Sequence, residues 1–113
     1  MFEFSELYAA VDREDWDRMI GYYDSDVVYE RPGYEPLCGV AALLRFYRDE
    51  RVLAAGRHVV EVAIVQGDGA ACSGFFTGTK RDGAGVDVRF ADVFTLREGR
   101  IAHRRTHFFR PCV

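Results

Sequence analysis

The even positions of the run from Val86 to Leu96 place a single carboxylate among apolar residues. In a β-strand alternate side chains share a face, and the even positions here carry valine, phenylalanine and leucine around Asp92. An ionised carboxylate on a buried apolar face is costly, so either its pKa rises or it pairs with a cation. Either outcome makes Asp92 a candidate for acid–base chemistry, because perturbed groups cluster at functional sites.

The hairpin after this strand decides what lies beside Asp92. A two-residue turn at Glu98-Gly99 would put glutamate at positive φ, which is unfavourable for that residue. We therefore expect a three-residue loop with its glycine in the left-handed region. That register places Asp92 opposite Arg104, with Thr106 and Phe108 on the same inner face.

The tighter turn is the alternative register for this hairpin. It would place Asp92 opposite Arg105, with His103 and His107 beside it. These two histidines flank an arginine and have no third ligand at a matching spacing, which disfavours a metal site. We interpret them as residues of a solvated or dimer-interface face, and His107 as a second-choice catalytic group.

Three further groups could take part in chemistry. His58 opens a strand whose even positions are otherwise mostly apolar, so it is the best-placed second group for proton transfer. The alternative is a rim histidine satisfied by backbone. Tyr8 could donate a hydrogen bond to a substrate oxygen. Arg31 and Tyr34 flank a loop that could form a pocket mouth, where an arginine could bind a carboxylate or enolate; the alternative is a surface salt bridge.

Composition excludes several classes of function. The chain has 113 residues, suited to one domain, and a net charge of −3 with no long basic block, which argues against nucleic-acid binding. No stretch is long and apolar enough to cross a membrane, and the acidic N-terminus does not resemble a signal peptide. Three cysteines, Cys38, Cys72 and Cys112, without a CxxC motif indicate free thiols and a cytoplasmic protein.

The order of predicted elements is helices first and then strands. Phe4, Leu7, Tyr8 and Val11 have helical spacing, and Asp15 is a candidate N-cap for a short second helix. The remaining predictions are a strand at 26–31, a helix from Val40 to about Gly56 with a solvated charged run at 45–51, and strands at 58–66, 71–80, 87–96 and 101–110. Gly74 and Gly78 suggest bends or bulges. The pattern predicts an α+β domain.

Three stretches resemble the SnoaL-like, nuclear-transport-factor-like superfamily, which includes ketosteroid isomerase, scytalone dehydratase, limonene epoxide hydrolase and polyketide cyclases. They are the run YDSDVVYERP at 23–32, PLCG at 36–39, and FADVF at 90–94 followed by EGRI at 98–101. The resemblance covers residues 1–113 as a single domain. It implies a cone-shaped α+β roll, in which a strongly curved antiparallel or mixed sheet wraps around three N-terminal helices. Dimers through the outer sheet face are common in this superfamily.

The resemblance also assigns residues, with departures. By this resemblance, Asp92 matches the acid that hydrogen-bonds the enolate oxygen in ketosteroid isomerases. In those enzymes an apolar site keeps this carboxylic acid neutral. The proton-shuttling aspartate of those isomerases is replaced by Arg31, and their oxyanion tyrosine falls at Leu7, one place from Tyr8. Thr106 stands where an aspartate of limonene epoxide hydrolase is expected. These departures argue against steroid isomerisation by the standard mechanism.

The combined expectation is a homodimeric, cofactor-free enzyme that binds a hydrophobic small molecule. It would perform proton transfer, as an isomerase, cyclase or dehydratase, on a polyketide-like or steroid-like ketone. The expected catalytic residues are Asp92, His58 and Tyr8, and the expected substrate-binding residues are Arg31, Tyr34, Arg104, Phe90, Phe108 and Trp16. The alternative is a non-catalytic ligand-binding or accessory domain, in which Arg104 would simply neutralise Asp92.

Overall fold

Six strands and three helices form one α+β unit in the computed structural model, which describes residues 2–110. The helices are α1 (Phe4–Asp12), α2 (Trp16–Ile20) and α3 (Val40–Arg45), and the strands are β1 (Tyr23–Glu30), β2 (Leu37–Cys38), β3 (Leu53–Gln66), β4 (Gly69–Lys80), β5 (Gly85–Arg97) and β6 (Arg100–Phe108). Strand β2 falls in a segment predicted to be a loop. Cys112 lies outside the described residues.

The sheet has the order β2-β1-β6-β5-β4-β3. Strand β1 runs parallel to β6, and all other neighbours are antiparallel, so the predicted mixed sheet around N-terminal helices is confirmed. The core fills the concave side of the sheet, where buried residues alternate along β5 from Val86 to Leu96. Asp92 is therefore on the inner face, as its spacing predicts.

The first two helices form where the sequence predicts them. The side chains of Phe4, Leu7, Tyr8 and Val11 are buried along one face of α1. The Asp15 side chain accepts a hydrogen bond from the Arg18 backbone N–H, which satisfies one of the free donors at the start of α2. This capping fixes where the chain leaves α1 and re-enters a helix.

The third helix is shorter than predicted. Helix α3 ends at Arg45, a π-helical turn (Phe46–Glu50) follows, and β3 already begins at Leu53. The π-helical turn brings both Phe46 and Tyr47 into the core. Residues 53–57 pair with β4 instead of extending the helix. Position 56 favours glycine, because a Cβ there would clash with the Phe76 ring at 2.0 Å.

Two bulges bend β3 against β4, in keeping with the prediction at Gly74 and Gly78. Added Cβ atoms at these glycines would lie 1.9 Å and 2.1 Å from β3 carbonyl oxygens, so only glycine admits the bulged partner strand. The bulge between Val60 and Val62 also reverses which side chains face inward. The expectation that His58 shares one face as far as Gln66 is therefore wrong beyond Val60.

The β5–β6 hairpin differs from the predicted loop. Its turn has two residues, with Glu98 at φ 53° and Gly99 at φ 79°, so the glutamate does adopt the left-handed conformation. A bulge then leaves Ala102 without a partner between the Leu96–Ile101 and Thr95–His103 pairs. Asp92 consequently lies opposite Thr106, and Arg104 lies opposite Phe94. The predicted register was wrong by two residues, and the predicted inner face was right because a shift of two preserves the face.

An exposed apolar patch lies on the outer sheet face, where the β3 bulge redirects two side chains. Val62, Ile64 and Val93 are 54%, 61% and 47% exposed, and Ile64 and Val93 both pair with Ala71 across β4. Contiguous apolar surface of this kind marks association sites in many proteins. The homodimer remains a prediction, and this patch is its expected interface.

We expect Ile64→Lys to convert a dimer into a monomer, because a charge at the centre of the patch would have to be desolvated on association. Light scattering coupled to size-exclusion chromatography over a range of concentrations measures the change. Val52→Lys, an exposed apolar residue outside this patch, is the matched control and should leave the mass unchanged. A monomeric wild type at every concentration would contradict the prediction.

Candidate functional site

A buried ion pair between Asp92 and Arg104 lies at the centre of the molecule. The two residues are 1% and 3% exposed, and the Arg104 Nη2 donates to Asp92 Oδ2 at 2.8 Å. The Tyr8 hydroxyl donates to the same carboxylate oxygen, and the Thr106 hydroxyl donates to Oδ1. The carboxylate on β5 is thus held by side chains from α1 and β6, and both of its oxygens are occupied.

Tyrosines surround the other side of the Arg104 guanidinium. Its Nη1 donates to the hydroxyls of Tyr23 and Tyr47, each at 2.9 Å, and its carbon lies 4.6 Å from the centre of the Tyr29 ring. Arg104 Nε is buried and has no hydrogen-bond partner within residues 2–110. Hydrogen bonds and a cation–π contact therefore support the guanidinium in addition to the carboxylate.

The electrostatics of the pair fix its protonation state. Burial acts to raise the pKa of Asp92, but the charge of Arg104 and the hydrogen bonds from Arg104, Thr106 and Tyr8 outweigh it and hold that pKa below its usual range. The pKa of Arg104 is raised, since the charge of Asp92 outweighs the opposing effect of burial. Asp92 is therefore an ionised, paired carboxylate, and the possibility of a protonated acid in a dry pocket does not apply.

His58 forms a second polar centre with Asp12, the last residue of α1. The imidazole Nδ1 lies 2.5 Å from Asp12 Oδ1, and the backbone N–H of His58 donates to Asp12 Oδ2 at 2.8 Å. The His58 ring also stacks on Tyr8, with 4.9 Å between ring centres. A carboxylate at Nδ1 favours the proton on that nitrogen, which leaves Nε2 as a proton acceptor.

Asp12 was not among the residues singled out from the sequence. The signal available was its spacing from Tyr8, since residues four apart on a helix share a face. The partner strand could not be inferred, because α1 and β3 are separated by more than 40 positions. The contact that makes Asp12 relevant is tertiary.

A small cavity of about 20 Å³ lies between the two polar centres, with room for about one water molecule. Its polar lining is Arg31, Tyr47, Arg51, His58, Asp92, Arg104 and Thr106, and its apolar lining is Leu53, Phe76, Val88, Phe90 and Phe108. Polar groups from three strands, the π-helical turn and two connecting segments thus line one cavity.

Six of the nine predicted site residues line this cavity: Asp92, His58, Arg31, Arg104, Phe90 and Phe108. Tyr8 lies behind it, bonded to Asp92 and 3.1 Å from the thiol of Cys72, whose pKa burial raises to about 11. Trp16 and Tyr34 do not line the cavity. Trp16 packs beside Tyr47, and Tyr34 packs edge-on against Phe46.

Arg51 is the main lining residue that the sequence did not indicate. The charged run at 45–51 predicted a solvated face, and this is wrong for Arg51, which is 5% exposed. The π-helical turn causes the difference, because it ends α3 early and turns Arg51 towards the cavity. A helical period of 3.6 residues, continued through this turn, does not predict the direction of the Arg51 side chain.

No group of three or more His, Cys, Asp or Glu side chains within residues 2–110 is arranged to hold a metal ion. None of the helices in that part of the chain is long and apolar enough to span a membrane. The polar groups that line the cavity are guanidinium, imidazole and hydroxyl groups and one carboxylate, Asp92, which is already paired with Arg104.

The curved mixed sheet closed by short helices and the buried polar pocket define the class of protein. The chain belongs to the SnoaL-like domain family, whose sequence profile matches residues 4–104. A comparison with curated protein sequences finds no relative.

Three solved structures illustrate the shared fold. An NTF2-like protein of unknown function from Burkholderia pseudomallei K96243 is 21% identical, with a TM-score of 0.84 over 92% of this chain and 86% of that one. TerC, co-crystallised with polyporic acid, is 22% identical, with a TM-score of 0.81 over 92% and 86%. An LEH-like epoxide hydrolase from M. tuberculosis is 19% identical, with a TM-score of 0.79 over 92% and 77%. At these identities the likeness concerns the fold alone.

We expect Asp92→Asn and Arg104→Met each to lower the free energy of unfolding by about 3–5 kcal/mol, because each leaves a buried partner uncompensated. Urea unfolding followed by circular dichroism measures the change. The double variant should lose less than the sum of the two singles, as directly paired residues do. Additive losses would mean that the two side chains do not stabilise one another.

The pair should also make stability depend on acidity. Since the folded pKa of Asp92 is lowered below its unfolded value of about 4, the unfolded chain binds more protons in acid. The contribution is complete above the unfolded pKa and is lost as pH falls through the folded pKa. The difference in Tm between wild type and Asp92→Asn should therefore be constant above about pH 5 and shrink below about pH 4. A difference that already shrinks between neutrality and about pH 5 would place the pKa above its ordinary value and contradict the ion pair.

Proposed function

We propose that this protein is a cofactor-free enzyme that transfers protons on a small, mainly hydrophobic ketone, as an isomerase, cyclase or dehydratase does. One observation carries the proposal. His58, oriented by Asp12, lines the same cavity as the Asp92–Arg104 pair and Tyr47. A proton acceptor and hydrogen-bond donors that converge on one point are what enolisation requires.

His58 is the proposed general base and acid. Its Nε2 removes a proton from the carbon next to the carbonyl, and Asp12 stabilises the imidazolium that results. The same nitrogen then returns the proton to another carbon in an isomerisation, or protonates a departing hydroxyl in a dehydration. In a cyclisation the enolate carbon attacks a second carbonyl within the substrate.

Tyr47 is the proposed donor to the enolate oxygen. Its hydroxyl accepts a hydrogen bond from Arg104 and donates none within residues 2–110, so its own proton is available to the cavity that it lines. Burial raises the pKa of Tyr47 against the lowering effect of Arg104, which keeps the phenol protonated. The bond from Arg104 polarises this phenol and makes it a stronger donor.

Asp92 has a supporting role in this proposal, in place of the acid–base role expected from the sequence. Both of its oxygens accept hydrogen bonds, and ionic pairing with Arg104 leaves little tendency to take up a substrate proton. It fixes Arg104 and Tyr8, and these in turn position Tyr47 and the His58 ring. Arg31, His58 and Phe108 are the half-buried residues of the lining, and Arg31 and Phe108, which no carboxylate holds within the described residues, are expected to move when a whole substrate enters.

A ligand-binding domain without catalysis is the second candidate. It is favoured by the neutralisation of Asp92 by Arg104, which a passive pocket also requires. TerC, which shares the fold, was co-crystallised with polyporic acid, so a neighbour of this chain binds a small organic molecule. The two candidates differ in whether His58 exchanges protons with a bound ketone.

We expect the protein to catalyse exchange of α-protons of enolisable ketones in D2O, followed by NMR. His58→Gln should slow the exchange by about 10²-fold or more, and Asp12→Asn by about tenfold or more, since general bases and their orienting carboxylates contribute on this scale. His107→Gln, an exposed histidine on β6, is the matched control and should retain the full rate.

Two results would exclude the enzyme proposal for the ketones tested. One is exchange that is no faster with the protein than without it. The other is exchange that persists undiminished in His58→Gln. Saturable binding of the same ketones without exchange would favour the ligand-binding domain instead.

A further inference from the structure

We propose that the ligand of this cavity carries a carboxylate, or an equally acidic enol, which Arg31 and Arg51 bind together. The inference rests on the proposed function only in taking the cavity as the ligand site, and it does not depend on turnover. Its basis is that two arginines line the cavity without a carboxylate partner in the part of the chain that the structure describes, whereas a third lining arginine has one.

Arg51 is buried and uncompensated. It is 5% exposed, its Nε is buried without a partner, and its side chain forms no hydrogen bond or ion pair within residues 2–110. Its guanidinium lies 5.6 Å from the centre of the Trp16 ring system and 5.4 Å from the centre of the Tyr47 ring. Glu14 acts on its charge from beyond ion-pair distance. A buried charge without a counter-ion lowers stability. A protein keeps such a destabilising residue where function requires it.

Arg31 has a similar environment. Its guanidinium lies 5.4 Å from the centre of the Phe46 ring and 5.1 Å from that of Phe108. Its only hydrogen bond within the described chain joins Nη1 to the Tyr29 hydroxyl at 3.0 Å, and its Nε is buried without a partner. Aromatic faces flank both guanidinia. Apart from the bond from Arg31 Nη1 to Tyr29, their N–H groups have no partner within the described residues, so they can donate to a carboxylate.

The charges around the cavity do not balance. Three guanidinia line it, and Asp92 is the one carboxylate among the lining residues. The excess is visible at Tyr29, where the charges of Arg104 and Arg31 outweigh burial and lower the pKa of the phenol. A bound anion would supply the missing negative charge.

The remainder of the lining selects the type of anion. The cavity as it stands holds about one water molecule, so a larger ligand enters only when half-buried lining residues such as Arg31 and Phe108 move. Such a ligand would then meet Phe76, Val88 and Phe90, which favours an aromatic or aliphatic acid over inorganic phosphate. Since the proposed reaction makes an enolate, a carboxylate on the substrate would be held by Arg31 and Arg51 while Tyr47 receives the enolate oxygen. The inferred substrate class is therefore a keto acid, or a ketone bearing an acidic enol, with an apolar body.

Binding can be tested without catalysis by using benzoate and its neutral analogue benzamide. Protein NMR spectra with labelled arginine Nε–Hε and tryptophan indole groups report on the cavity directly. We expect benzoate to shift the Arg31 and Arg51 signals and to bind at least about tenfold more tightly than benzamide, because hydrogen bonds to charged groups are the stronger ones. Inorganic phosphate at the same concentration should compete weakly.

Variants distinguish anion binding by the two arginines from binding by the rest of the site. Arg51→Met should weaken benzoate binding by about tenfold or more and leave benzamide binding unchanged. Arg48→Met, an exposed arginine in the same π-helical turn, is the matched control and should bind benzoate like the wild type. His58→Gln should also retain benzoate binding, so a failure of the catalytic proposal is distinguishable from a failure of this one.

Stability provides the check that Arg51 is held for a ligand. Arg51→Met should have an unchanged or higher Tm without ligand, because it removes a buried charge that has no partner. A Tm lowered as much as in Arg104→Met would indicate a structural role and overturn the proposal. Equal binding of benzoate and benzamide to the wild type would also overturn it, and so would tighter binding of phosphate than of benzoate.

Discussion

The Asp92–Arg104 ion pair is the constraint on which the arrangement of the site depends. It joins two neighbouring strands, and through Tyr8 it also ties α1 to the sheet. A carboxylate at this depth is tolerated only with a full set of donors, so Arg104, Thr106 and Tyr8 must all reach it. The β-bulge at Ala102 is what makes this geometry possible, because it sets Arg104 diagonal to Asp92 and Thr106 directly opposite.

The positions of the other polar residues follow from that pair. Arg104 fixes the hydroxyls of Tyr23 and Tyr47, and Tyr8 provides the surface on which His58 stacks. A network in which every member is hydrogen-bonded tends to be rigid and to specify one arrangement. The two arginines outside this network, Arg31 and Arg51, contact aromatic rings and have no counter-ion within residues 2–110. The site therefore combines a hydrogen-bonded ion pair with two further guanidinia that lack a carboxylate partner in the described part of the chain.

The sequence was most informative where the pattern was local. Alternation along β5 placed Asp92 inside, helical spacing located α1, and the Asp15 cap located α2. The wrong predictions concern features that depend on tertiary contacts. Glu98 adopts a positive φ in a two-residue turn, and the bulge at Ala102 then shifts the register by a further residue, which no local pattern indicates. The π-helical turn changed the direction of Arg51, and the β3 bulge changed the face of Val62, because each adds one residue to a regular period.

The bulge in β3 divides that strand into two halves with different tasks. Before it, His58 lines the pocket and Val60 packs against the core; after it, Val62 and Ile64 face outward. Because the side-chain period of a strand is two, the unpaired residue Glu61 makes this difference: if Glu61 paired with Ser73 in a regular ladder, Val62 and Ile64 would face inward. A chain lacking Glu61 would lose the bulge, and Val62 and Ile64 would still face outward. The outer apolar surface therefore requires the residue at this position to be bulged or absent, and neither state changes the pairing of the strand residues before it.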